Sequence, residues 1–194
     1  PHHGDPAREQ RLLEEGLAVV DLSDRGVVTV SGPDRLSWLH SLTTQHLLDL
    51  PPRTSRETLI LSPKGHVEHA LHVVDDGERT WLLTEPEAAA PVVAWLDSMR
   101  FMLRVEVEDV SDRYVVLGEP IGRESVDGED VAWVDPWPGP VGDTALYGPA
   151  TEDHPARGRA WRELVVPRER FVEEFGDRAP VGLWALEALR VNAW

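Results

Sequence analysis

Val27-Val28-Thr29-Val30-Ser31-Gly32-Pro33-Asp34-Arg35-Leu36-Ser37-Trp38-Leu39 holds a strand, a break and the start of a helix. The β-branched run Val27–Val30 suits a pleated, half-buried surface. Gly32-Pro33 ends it, and a proline is well placed at a helix start. Leu36, Leu39 and Leu42 then recur at i, i+3 and i+6, which predicts an amphipathic helix to about Gln45.

The pattern continues downstream. Thr58-Leu59-Ile60-Leu61 reads as a second strand, and Pro63-Lys64-Gly65 as a turn. Val67, His69, Leu71 and Val73 alternate with His66, Glu68, Ala70 and His72, the period of a half-buried strand. Asp75-Asp76-Gly77-Glu78 predicts a hairpin loop into a strand over Thr80–Thr84. A helix over 87–98 and a strand through Leu103, Val105, Val107 and Val110 complete an order β-α-β-β-β-α-β. This is a ferredoxin-like pattern with one extra strand, so residues 26–112 read as one α+β module.

Outside that module, residues 5–17 have helical spacing, with Leu12, Leu13 and Leu17 as the apolar stripe, and Val19, Val20 and Leu22 read as a short strand. Tyr114–Gly118 predicts a strand ending at Pro120. Residues 120–160 are rich in Pro and Gly and suggest loops around short strands such as Val131–Val134. Glu163–Val166 is a strand stopped by Pro167, and a helix starts within Pro167–Glu174. A last helix, striped by Leu183, Leu186 and Leu189, is expected to run to Trp194 without a stop signal. Trp38, Trp95 and Trp184 read as core.

The chain of 194 residues can bury a sizeable core, and its 41% hydrophobic and 28% charged content is that of a globular protein. It contains no run long enough to cross a membrane as a helix. With no cysteine, disulfides and thiolate metal sites are excluded within these residues, which fits a reducing cytoplasm. A net charge of −16 repels phosphate backbones and argues against direct nucleic-acid binding. The densest basic run, Arg157, Arg159, Arg162, Arg168 and Arg170, reads either as a contact for an anionic small molecule or as a solvated stretch.

Four motifs stand in order: Asp21-Leu22-Ser23; Val30-Ser31-Gly32-Pro33-Asp34; Leu61-Ser62-Pro63-Lys64-Gly65-His66-Val67-Glu68-His69-Ala70-Leu71; and Gly182-Leu183 through Leu189-Arg190. They resemble the folate-binding aminomethyltransferase family, the T-protein of the glycine cleavage system. With the opening Gly4-Asp5-Pro6-Ala7-Arg8-Glu9-Gln10-Arg11, they more closely resemble its YgfZ-type relatives. The resemblance implies an α+β fold of two interleaved ferredoxin-like antiparallel-sheet modules around a folate cavity. The inner module is then 26–112, and the outer folate-binding module is 1–25 plus 113–194. It also implies that the natural chain extends beyond Trp194 into a cysteine-containing loop and a small C-terminal barrel, not covered by these residues.

The resemblance assigns residues as well. Glu163 matches the acid that closes a Gly-Glu-Asp-Gly-aromatic-Glu stretch in the family, where a carboxylate can accept paired hydrogen bonds from the N–H edge of a pterin. Arg159 and Ala160 replace the preceding acids. Arg190 matches the family's Leu-Arg and suits the carboxylates of a folate tail. An i, i+3 pair with Glu187 is the alternative. Trp161 is a candidate to stack on a pterin, or else to pack within its strand. Where the aminomethyltransferases carry Asp-Asp, this chain has His69 and Ala70. A neutral His69 could act as a general base, or be a structural residue on an apolar face. His66, Glu68, His69 and His72 do not form a metal site, because along a strand at ~3.3 Å per residue the outer two cannot reach one ion.

The expectation is therefore a protein that binds tetrahydrofolate or a derivative, whose family role implies partners among iron–sulfur enzymes or their assembly factors and, through them, tRNA modification. A tetrahydrofolate-dependent aminomethyltransferase and a folate-free scaffold are the alternatives. Neither a membrane nor direct nucleic acid is expected as a partner, and no catalytic residue is assigned beyond the candidate His69.

Overall fold

The computed structural model describes residues 2–121, 131–139, 149, 151–154, 156–157 and 160–193. Arg159 and Trp194, singled out above, lie outside them. The elements are α1 (Pro6–Glu14), β1 (Ala18–Asp21), β2 (Gly26–Ser31), α2 (Arg35–Leu42), β3 (Ser55–Leu61), β4 (Val67–Asp75), β5 (Arg79–Thr84), α3 (Ala89–Met99) and β6 (Glu106–Asp109). They continue with β7 (Tyr114–Pro120), β8 (Val131–Val134), β9 (Trp161–Pro167), α4 (Phe171–Phe175), β10 (Ala179–Val181) and α5 (Leu183–Asn192).

Two five-stranded sheets organise the chain, one in the order β3-β4-β5-β2-β6 and the other β10-β1-β7-β9-β8. The first is antiparallel throughout and draws only on residues between 26 and 109. The second takes β1 from before that stretch and β7–β10 from after it, with β1 and β10 the parallel pair. This is a mixed α+β architecture, as expected from the order of elements.

The strand–break–helix unit forms for the reasons visible in its residues. Gly32 takes φ 103°, and a Cβ there would lie 2.1 Å from the Arg104 carbonyl oxygen, so only glycine fits. Asp34 stands at the N-cap of α2 without capping it. Its carboxylate instead accepts from the Arg104 backbone N–H and guanidinium at 2.7–3.1 Å, tying the start of α2 to the segment that leads into β6. The next residue, Arg35, forks onto Asp75 with both bonds at 2.8 Å. Thr80 Oγ1 (2.6 Å) and the Gly77 N–H (2.9 Å) complete the shell of Asp75, which is buried.

Each sheet has two covered faces. Val28, Val30, Ile60, Leu71, Val73 and Leu82 pack against Trp38 and Leu39 of α2 and Val92 and Leu96 of α3. On the other side, Val27, Val74, Trp81 and Leu83 meet Val20, Leu22, Val116, Trp133, Trp161 and Val165 of the second sheet. Leu13 of α1 and Ala185 of α5 extend this second core. The outer face of the second sheet, Val19, Val115, Leu117, Leu164 and Val166, is covered by Phe171 and Phe175 of α4.

Some expectations are corrected. β10, an Ala-Pro-Val triplet, was not foreseen, because three residues carry no periodicity. Its backbone is fixed by pairing with β1. α5 ends at Asn192, with Ala193 as its C-cap, two residues short of Trp194, which lies outside the described residues. Trp184 is 56% exposed and is not core. It lies on the outward side of α5, where the His2 ring meets it at 4.7 Å.

Candidate functional site

β9 carries Glu163, the acid singled out from the sequence. Its alternation puts Trp161, Glu163 and Val165 on the face toward the first sheet, and Arg162, Leu164 and Val166 on the face away from it. Glu163 is only 2% exposed. In register it lies between Gly118 of β7 and Trp133 of β8. Its carboxylate reaches across to the first sheet, where Oε2 accepts from His72 Nδ1 at 2.8 Å and pairs with Arg25 Nη1 at 3.1 Å. Both contacts fall on one oxygen, and the two nitrogens stand 3.3 Å apart.

His72 comes from β4. Val74, two residues on, faces the second sheet, so His72 and Ala70 share that face while Leu71 and Val73 point to the helices. The imidazole lies flat on the Trp133 indole, with centroids 3.6 Å apart and planes 8° from parallel. Trp133 is fixed in turn by its Nε1–H, which donates to the Arg56 carbonyl at 3.0 Å. The other ring nitrogen of His72 stands 3.4 Å from Oε1 of the half-exposed Glu57. Burial disfavours the imidazolium, but hydrogen bonds to Glu163 and Glu57 outweigh it, and the His72 pKa is raised above its usual value. The same hydrogen bond from His72 lowers the Glu57 carboxyl. The arrangement is a buried carboxylate, two cationic donors and two stacked aromatic rings at the seam between the sheets.

The other residues anticipated from sequence lie around this seam or apart from it. Trp161 is buried, with its ring so close over Gly118 that a Cβ there would meet Cζ2 at 2.4 Å and Leu22 Cδ1 at 2.9 Å. It also borders a cleft of about 340 Å³, shared with Arg157, Leu189 and Asn192. Arg190 bonds Glu187 on the surface of α5, at 2.7 and 2.9 Å, and is outside the Glu163 cluster. His69 pairs with Ile60 and by alternation points to the helix side of the first sheet, away from Glu163.

Arg25, Glu57, His72 and Trp133 were not singled out as site residues from the sequence. For His72 a signal existed: period-two alternation places it on the face of Ala70, where the family carries an acid. Arg25 and Trp133 join Glu163 across contacts distant in sequence, which no local pattern reveals.

Residues 3–118 match the family described as the GCVT N-terminal domain. A putative chloroplastic transferase of Arabidopsis thaliana is 27% identical over 100 residues, covering 51% of this chain and 23% of its own length. An aminomethyltransferase of a Nostoc species is 23% identical over 116 residues, covering 57% of this chain and 31% of its own. The chain thus spans about a quarter to a third of the length of these curated relatives. Among solved structures, the glycine cleavage system aminomethyltransferase T from Bartonella henselae superposes with a TM-score of 0.64 at 14% identity, over 96% of this chain and 53% of that one. Two multi-stranded sheets packed as described here are therefore the aminomethyltransferase folate-binding fold, and the chain belongs to the GCVT N-terminal domain family.

Proposed function

We propose that this chain binds tetrahydrofolate or a derivative at the seam between its sheets, with Glu163 accepting the pterin N–H edge. The observation that carries the reading is a buried carboxylate on the inner face of β9, aimed between the two sheets. The donor set fits the ligand: Glu163 already holds the N–H of one planar heterocycle, the His72 ring, which is stacked on an aromatic face. Trp161, two residues away on the same face, is proposed to wall the site. The modules 26–112 and 1–25 plus 113–194 are proposed as its two halves.

Tetrahydrofolate supplies one-carbon transfer where it is bound. The residues here favour binding over turnover, since Ala70 cannot move a proton and His69 points away from Glu163. We therefore favour a YgfZ-type accessory role, in iron–sulfur cluster assembly or repair and so in tRNA modification, in the cytoplasm. A tetrahydrofolate-dependent aminomethyltransferase is the second reading, favoured by the Nostoc relative. Titrating reduced folates against tryptophan fluorescence tests the first claim. Glu163→Gln is expected to weaken binding by roughly 1–3 kcal/mol, the cost of a lost charged hydrogen bond; unchanged affinity would refute the assignment. Glycine cleavage with a lipoyl carrier separates the two readings, and turnover at an aminomethyltransferase rate would favour the second.

A further inference from the structure

The interactions His72 makes are those a pterin would need. Its ring is a flat nitrogen heterocycle, laid on Trp133, with an edge nitrogen on the Glu163 carboxylate. We propose that His72 is an internal stand-in for the ligand, a displaceable plug that a pterin must exchange with, so that folate binding is coupled to release of a proton. The inference rests on Glu163 as the pterin acceptor and adds the device that controls access to it.

The platform is buried, and the plug reaches solvent. Trp133 is 2% exposed, opposite Glu163 in register, and pinned through its indole N–H to Arg56. Trp161 cannot serve as the platform, because its ring is packed against Gly118 and Leu22. The His72 side chain is 20% exposed, and its second nitrogen already faces Glu57, whose side chain is 47% exposed. Rotation about its two side-chain torsions carries the imidazole toward Glu57 and solvent without moving β4. Arg25 remains on Glu163 throughout, so the carboxylate keeps a partner during the exchange.

The proton follows from the charges around the ring. Glu57 faces it from β3, Glu163 from β9 and Arg25 from the turn between β1 and β2, while Trp133 of β8 and Leu83 of β5 carry no charge. The two carboxylates outweigh burial and Arg25, so the free protein holds His72 protonated above the usual histidine range. Displaced into solvent, the ring loses Glu163 and its proton affinity falls. Binding then releases a proton in the window between the displaced ring's value, which Glu57 still holds at or above the ordinary value of about 6.5, and the higher value of the free protein. Affinity is flat below this window, rises through it by up to about tenfold per pH unit, and is flat again above it.

Calorimetric titration of the chain with folinate, in paired buffers of different ionisation heat at about pH 6, 7 and 8, reads the proton directly. Net release and a several-fold rise in affinity with pH are expected. His72→Ala, with its folding checked by thermal melt, is expected to bind folinate several-fold tighter at the lowest pH and to release no proton. Binding without proton release, or weaker binding by His72→Ala, would overturn the plug while leaving Glu163 as the acceptor. Should the variant not fold, the proton count on the unaltered chain decides alone. Folinate binding to neither chain would refute the Glu163 site, and this inference with it.

Discussion

Among the described residues, two of the buried carboxylates that pair with an arginine, Asp75 and Glu163, are built differently. Asp75 receives a bidentate fork from Arg35, a hydroxyl from Thr80 and a backbone N–H from Gly77, so both of its oxygens are saturated by donors that cannot change charge. Glu163 receives Arg25 and His72 on a single oxygen, and one of those donors is titratable. The first pair fastens α2 to the β4–β5 hairpin within one sheet layer. The second spans two sheets and can exchange partners. The same chemistry yields a fastener where the shell is complete and fixed, and the proposed site where one donor is protonatable.

The comparison breaks first at Asp75. Asp75→Ala leaves the half-buried Arg35 guanidinium and the buried Thr80 hydroxyl without their shared acceptor and should cost about 2–4 kcal/mol, read as a lowered urea midpoint. Destabilisation below about 1 kcal/mol would show that the shell is not a fastener. Gly118→Ala should cost about 1–3 kcal/mol by overpacking, because the Trp161 ring must leave its place over β7. A crystal structure of that variant with Trp161 unmoved would contradict this.

Acidity sharpens the contrast. The folded-state pKa of His72 is raised, so its contribution to stability is fully present below the unfolded value, about 6.5, and is lost as pH rises through the folded value. Thermal melts across this range should show the loss in the parent chain and not in His72→Ala. A parallel decline in both would place the titrating group elsewhere. The smallest effect is expected at Arg190, a surface pair with Glu187, where Arg190→Ala should shift stability by less than about 0.5 kcal/mol and leave folate affinity unchanged. A loss of affinity there would bring α5 into the site.

How far these regions were legible depends on the range of the interactions that make them. Val27–Leu39 announced itself, because Gly32-Pro33 and the leucine spacing act over a few residues. β8 was also legible, as a short apolar run flanked by turn formers. β10 was not, since Ala179–Val181 are strand only because β1 is beside them. Glu163 was singled out through family likeness, but the residues it pairs with were not. His72 lies 91 residues away in sequence, and Trp133 is brought under it by a strand of four residues. Trp184 misled because spacing cannot say which side of a helix has a neighbour.

The interleaving of the two sheets has a consequence for the order in which the chain assembles. The first sheet is complete once residue 109 has been made, and three of its strands follow one another as β3, β4 and β5. β1 precedes all of them, yet its partners are β7, with Val20 opposite Gly118, and β10, with Ala18 opposite Ala179. At synthesis rates of about 5–20 residues per second, β1 waits for several seconds as an apolar strand with both edges open. Closing its pairing loops also carries a larger entropic cost than closing a hairpin. Pulse-labelled hydrogen exchange during refolding should therefore protect Val28 and Leu82 before Val19 and Val20. The seam that holds Glu163 would then be the last part of the molecule to form.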